Sequence, residues 1–160
     1  SGTLELLITL PVRDIDVVVG KLIGATLFLA TTLAVTLAYP LAVAALGEPD
    51  AGPIIGGFFG LLMVGMAYLS LGLMASSWTR SQIVALILGA VFCAFFYFVD
   101  GFVGAFWRAA QPVLAYVSFK AHFQNVARGV IDTRDIVFYL SVTAIAVLIA
   151  GYSLESRKWK

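Results

Sequence analysis

His122 is the one histidine in the chain, and it stands four residues after Ser118 in a stretch that also holds Asp132. Residues four apart share a helix face, and serine, histidine and aspartate are the residue types of a nucleophile, its base and an orienting group. Neither a Gly-x-Ser-x-Gly elbow nor a His-Glu-x-x-His pair accompanies them. A serine near a histidine arises often by chance, and His122 reads instead as an interfacial polar residue facing water or headgroups. Gly20-Lys21 has neither the preceding glycine spacing nor the following hydroxyl of a phosphate-binding loop, so no ATP hydrolysis is expected of this chain. The single cysteine, Cys93, cannot form an intrachain disulfide or a cysteine-cluster metal site, and it reads as a small packing residue.

The elements that must position these residues belong in a bilayer. Leu22 to Leu46, Ala51 to Thr79, Ser81 to Val99 and Ile136 to Leu154 contain no charged residue. Each is about as long as, or longer than, the roughly 20 apolar residues that cross a hydrocarbon core. The 160 residues are 61% hydrophobic and 12% charged, about half the charge of a soluble domain. In lipid every backbone polar group needs an internal partner, and the runs are too uniformly apolar for barrel strands. The fold class is therefore all-α: a polytopic membrane protein with four transmembrane helices, at 17–46, 54–77, 82–99 and 136–154. The absence of ionisable residues from the span interiors disfavours a proton pump or an ion-coupled transporter, and a net charge of +1 gives no sign of nucleic-acid binding.

Between the spans the sequence changes character. Residues 1–16 intersperse Glu5, Arg13, Asp14 and Asp16 with Leu4, Leu6, Leu7, Ile8 and Leu10, the pattern of an interfacial helix. Pro11 ends it, and Asp14 or Asp16 can cap the next. No signal peptide is expected, and a start at Ser1 suggests a piece of a longer chain. Tyr39-Pro40 predicts a kink, and the two prolines and two glycines of residues 47–53 predict a reversal. Gly56-x-x-x-Gly60 is a face for close helix contact, within the chain or in a dimer. Residues 102–135 mix Phe102, Phe106, Trp107, Phe119 and Phe123 with Arg108, Lys120, His122, Arg128 and Arg134, which fits amphipathic helices in or dipping into the outer interface. Gly129 can end a helix near Arg128, and Asp132 or Thr133 can cap the last span. With both terminal segments cytoplasmic, Arg13, Lys21, Arg80, Arg157, Lys158 and Lys160 lie inside and Arg108, Lys120, Arg128 and Arg134 outside, a modest positive-inside bias.

Several blocks resemble the membrane permeases of type-2 ABC exporters, particularly the branch that contains gliding-motility permeases and permeases linked to multi-copper enzyme maturation. They are residues 2–12 (GTLELLITLPV), Val19-Gly20-Lys21, residues 71–77 (LGLMASS), residues 82–85 (QIVA), and His122-Phe123 with residues 127–135 (ARGVIDTRD). The resemblance implies a permease of six spans, of which this chain would lack the first two. It implies a separate ATPase subunit that binds the ATP, with no cofactor in this chain, a second permease copy or homologue, and a plasma (inner) membrane location. It further implies that residues 1–16 form a cytoplasmic coupling helix, with Glu5, Leu7, Thr9, Leu10 and Pro11 facing the ATPase. Residues 102–135 would be an extracytoplasmic gate built on Phe119, His122, Phe123, Arg128 and Asp132, with Arg128 and Asp132 available as a polar lock. The other reading of the same fold is a non-transporting membrane scaffold or assembly subunit.

Overall fold

The computed structural model describes residues 13–106 and 116–156, and all regular structure in them is helical. Six helices follow in order: α1 (Asp14–Thr36), α2 (Ala38–Leu46), α3 (Ala51–Trp78), α4 (Gln82–Phe106), α5 (Phe119–Ala127) and α6 (Thr133–Glu155). Four stretches are long and apolar enough to cross a bilayer: α1 continued by α2, α3, the Gln82–Val99 part of α4, and α6. The expected all-α polytopic membrane fold is therefore the one observed. The chain segments at residues 1–12, where Glu5, Leu7, Thr9, Leu10 and Pro11 lie, and at 107–115 and 157–160 fall outside the described residues.

Side chains next to the helix starts satisfy first-turn N–H groups that have no carbonyl partner within the helix. Asp50 Oδ1 accepts from the Gly52 N–H at 3.0 Å, and Asp132 Oδ1 accepts from the Arg134 N–H at 3.0 Å. At α1 the carboxylate of Asp16 reaches back to the Arg13 N–H at 3.2 Å. Gly52 and Pro53 lie inside the first turn of α3, whereas the sequence pattern assigned them to the preceding turn. A proline at that position sacrifices only an N–H that had no helical partner. Pro40 acts one turn upstream of itself: it cannot donate to Thr36, and the helix is interrupted at Leu37 between α1 and α2. Asp100-Gly101 does not end α4, which continues to Phe106.

α3 is the central helix and packs against α6, α4, α1 and α5. Its buried positions are mostly small (Gly56, Gly60, Ala67, Ser70, Ala75), and α6 buries Ala146, Ala150 and Gly151. Small residues let helix backbones approach where lipid supplies no hydrophobic drive for association. The buried side chains of α6, Asp135, Tyr139, Thr143, Ala146, Val147 and Ala150, recur every three or four residues and form one stripe. Outward-facing residues such as Phe28, Leu46 and Leu86 are exposed, as lipid-facing side chains should be.

The bundle has two distinct ends. At one, Ile15 of α1 packs against Gly151 of α6, and Trp78 Nε1 at the end of α3 donates to Ser153 Oγ at 3.1 Å. At the other end are the 47–50 turn, α5 and the start of α6. There α5 lies across the first turns of α3.

Candidate functional site

The polar cluster at this second end is built from α5, the turn before it and the first two turns of α6. Ser118 starts α5 by accepting from the Ala121 N–H at 3.4 Å. This fixes the helix so that Phe119, His122 and Val126, at three- and four-residue spacing, share its buried face. Gly129 ends the helical turn with φ +84°, the left-handed geometry that a side chain resists, and its N–H donates to the Val126 carbonyl at 3.0 Å.

α5 sits in a track of glycines on α3. A methyl group placed on Gly60 would lie 3.2 Å from both Phe123 Cε2 and Val126 Cγ1. One placed on Gly56 would run into the Val126 carbonyl oxygen, and one on Gly129 would lie 2.8 Å from the Gly52 carbonyl carbon. The Gly56-x-x-x-Gly60 face is thus occupied by a helix of its own chain. Phe119 is 1% exposed and forms the hub of the ring cluster. Its centroid lies 5.0 Å from Tyr68 of α3, 4.9 Å from Phe96 of α4, and 5.6 and 5.5 Å from Phe138 and Tyr139 of α6.

The His122 ring lies beneath this hub. Its Nδ1 is 2.5 Å from Asp135 Oδ1, and its Nε2 is 3.0 Å from the Tyr116 carbonyl oxygen. A carbonyl only accepts, so Nε2 carries a hydrogen and donates it. Nδ1 and Oδ1 share the second hydrogen bond of the ring. The Phe138 ring stacks on the imidazole, centroids 4.1 Å apart and planes 18° apart. Tyr139 Oη, one turn beyond Asp135, donates to the Phe119 carbonyl at 2.9 Å. Asp135 is 3% exposed, and its second oxygen, Oδ2, is buried without a hydrogen-bond partner among the described residues.

These positions correct one sequence expectation. His122 does not face water or headgroups: it is 8% exposed, because the carboxylate and the carbonyl take both ring nitrogens. Ser118, His122 and Asp132 do not form a triad, since Ser118 and Asp132 each cap a helix and the imidazole turns to Asp135. Arg128 and Asp132 are both exposed and form no ion pair with each other in this conformation. Among the described residues no group of three or more histidine, cysteine, aspartate or glutamate side chains could hold a metal ion.

The sequence reading missed Asp135 and Tyr139. The signal was present in their spacing, because Asp135, Tyr139, Thr143 and Ala146 lie on one helical face and Asp135 is the only charged residue on it.

Residues 1–158 match the family model described as ABC-2 family transporter protein. The chain belongs to the ABC-2 transporter family. It is a multi-pass membrane protein and a permease component of an ABC transporter. Permeases of this family normally work with an ABC ATPase subunit. Neither curated proteins nor solved structures provide a match.

Proposed function

We propose that this ABC-2 permease serves an ATP-driven exporter, in which residues 1–16 couple it to a separate ATPase subunit and the α5 region closes the extracytoplasmic end of the path. The observation that carries this reading is the separation of the two ends under a family match running from residue 1 to residue 158. The end that holds Ile15, Trp78 and Ser153 carries the start of α1 with Arg13, Lys21 and Arg80, and the sequence adds Arg157, Lys158 and Lys160 after α6, against Arg108, Lys120, Arg128 and Arg134 in the segment between α4 and α6. Basic residues favour the cytoplasmic side. On this reading Glu5, Leu7, Thr9, Leu10 and Pro11, which fall outside the described residues, meet a cytoplasmic ATPase, and α5 lies on the far side.

At the far end Phe119 and Phe123 occupy the space between α3, α4 and α6 with apolar side chains. A plug of this kind blocks water and solute and can be withdrawn without breaking any transmembrane helix. The two-permease assembly and the plasma-membrane location belong to the same proposal. The test is co-purification of the full chain with an ATPase subunit, followed by reconstitution and measurement of ATP turnover. Stable association and turnover that depends on the permease are the expected result. A chain that assembles in the membrane and never retains an ATPase refutes the reading and returns the fold to a scaffold role.

A further inference from the structure

We propose that His122 and Asp135 form the catch that holds α5 in its seat, and that they are positioning residues which set how often the outer end opens. The inference rests on the gate reading of α5 given above. Most of the packing of α5 is against α3, and its close approaches to α6 are few. Besides ring contacts of Phe119 and His122 with Phe138 and Tyr139, the tie to α6 has two directional bonds, His122 to Asp135 and Tyr139 to the Phe119 carbonyl. The contacts on α3 are apolar and pass over glycines, so they weaken gradually as the helix lifts. A hydrogen bond is lost within about an ångström of misplacement. The catch therefore decides whether α5 is held or free.

The two partners also give the closed position an opposing term. Asp135 is a buried carboxylate with one oxygen bonded to His122 and the other without a hydrogen-bond partner among the described residues. Burying a charge is costly unless it is fully paired. Lifting α5 admits water to both oxygens at the exposed start of α6. Closure is thus favoured by the pair and disfavoured by the desolvated carboxylate. Removing only the imidazole leaves the unfavourable term alone, whereas removing both groups deletes both terms. The two changes must act in opposite directions on opening. A merely structural role would make the double change the more damaging one.

The test uses the complete transporter with its ATPase in liposomes, on a Cys93→Ala background with Val126→Cys as reporter. Val126 is 2% exposed and lies over Gly56 and Gly60, so a membrane-impermeant maleimide reaches position 126 only when α5 leaves its seat. His122→Ala should raise the labelling rate about tenfold or more. His122→Phe combined with Asp135→Leu should label at the parent rate or more slowly. His122→Gln, which still donates one bond to the carboxylate, should fall between parent and alanine variant, and it replaces the alanine variant if that does not assemble. A histidine-substituted variant that labels at the parent rate, or a double variant that labels as fast as the single one, overturns the catch. The gate reading is tested by the parent alone: labelling that does not change when nucleotide is added overturns it. Labelling that responds to nucleotide and ignores His122 overturns the catch alone.

Discussion

Removing the His122 imidazole should destabilise the protein more than removing the Asp135 carboxylate, although both break the same bond. His122→Ala leaves a carboxylate that is 3% exposed, with Oδ2 already unpaired and Oδ1 stripped of its donor. An uncompensated buried charge costs about 3–5 kcal/mol, and loss of the stacked ring contact with Phe138 adds about 0.5–1.5 kcal/mol. In Asp135→Ala no carboxylate is left unpaired, and the imidazole keeps donating from Nε2 to the Tyr116 carbonyl. The remaining loss is one bond and one unpaired nitrogen, about 1–3 kcal/mol. The expected gap is roughly 2 kcal/mol or more. His122→Phe isolates its electrostatic part, because the ring stack survives and the orphaned carboxylate remains.

Denaturant unfolding of the purified protein in one detergent, with all variants compared at the same temperature, measures the gap. A double-mutant cycle between the two positions gives the coupling energy directly. Equal losses for His122→Ala and Asp135→Ala would show that the pair is held as two neutral groups. A larger loss from Asp135→Ala would refute the account of the buried carboxylate as the exposed liability of this site.

Tyr139→Phe removes the donor to a buried carbonyl at an otherwise unchanged ring, and should cost about 1–2 kcal/mol in the same unfolding measurement. Gly129→Ala places a Cβ at φ +84° and 2.8 Å from the Gly52 carbonyl carbon, so the left-handed strain alone should cost about 1–2 kcal/mol and lower the midpoint of thermal unfolding. Gly56→Ala drives a methyl group into the Val126 carbonyl; displacing α5 should cost about 1–3 kcal/mol and raise maleimide labelling at position 126, with unchanged labelling as the refuting result. For the proposed coupling segment, Leu7→Asp or Leu10→Asp should weaken ATPase association by about 2 kcal/mol or more while the spans stay inserted. Retention of the ATPase at the parent level in both variants would return residues 1–16 to a passive anchor.

The fold was legible because its decisive signal is additive over long windows. Four charge-free runs of membrane length leave few alternatives to a helical bundle, and Asp132 and Gly129 marked helix ends by local rules that tertiary contacts do not overrule. Pro40 and Pro53 were legible as prolines but not as boundaries: the break moved to Leu37 in one case, and the residue was absorbed into the first turn in the other. The site was half legible. Phe119 and Phe123 stand out as aromatics in a polar segment, and both prove to sit against α3. The partner of His122 was not legible, because Asp132 and Asp135 are both first-turn carboxylates of α6 by sequence. Only the direction of the helix face separates them. Asp132 precedes the helix and turns to its N–H groups, whereas Asp135 lies on the stripe with Tyr139 and is carried inward.

The position of Asp135 on α6 also explains how an event at one end of the bundle could be felt at the other. Gly151 of α6 packs against Ile15 near the start of α1, at the end of the proposed coupling segment. At a rise of 1.5 Å per residue, the path from Gly151 to Asp135 is about 24 Å of continuous helix. A tilt of about 5° pivoting at the Ile15 contact would move the outer end by roughly 2 Å over that length. The glycine track under α5 would tolerate such a displacement as a change in van der Waals separation. The bond between His122 and Asp135, at 2.5 Å, would not. The residue pair most sensitive to a small motion of α6 is therefore the pair that secures the plug. A permease built this way needs no ionisable group inside its spans to carry the signal from the nucleotide-binding side to the far end. Under the proposed gate and catch, the rigid helix would carry the displacement and the catch would turn it into release.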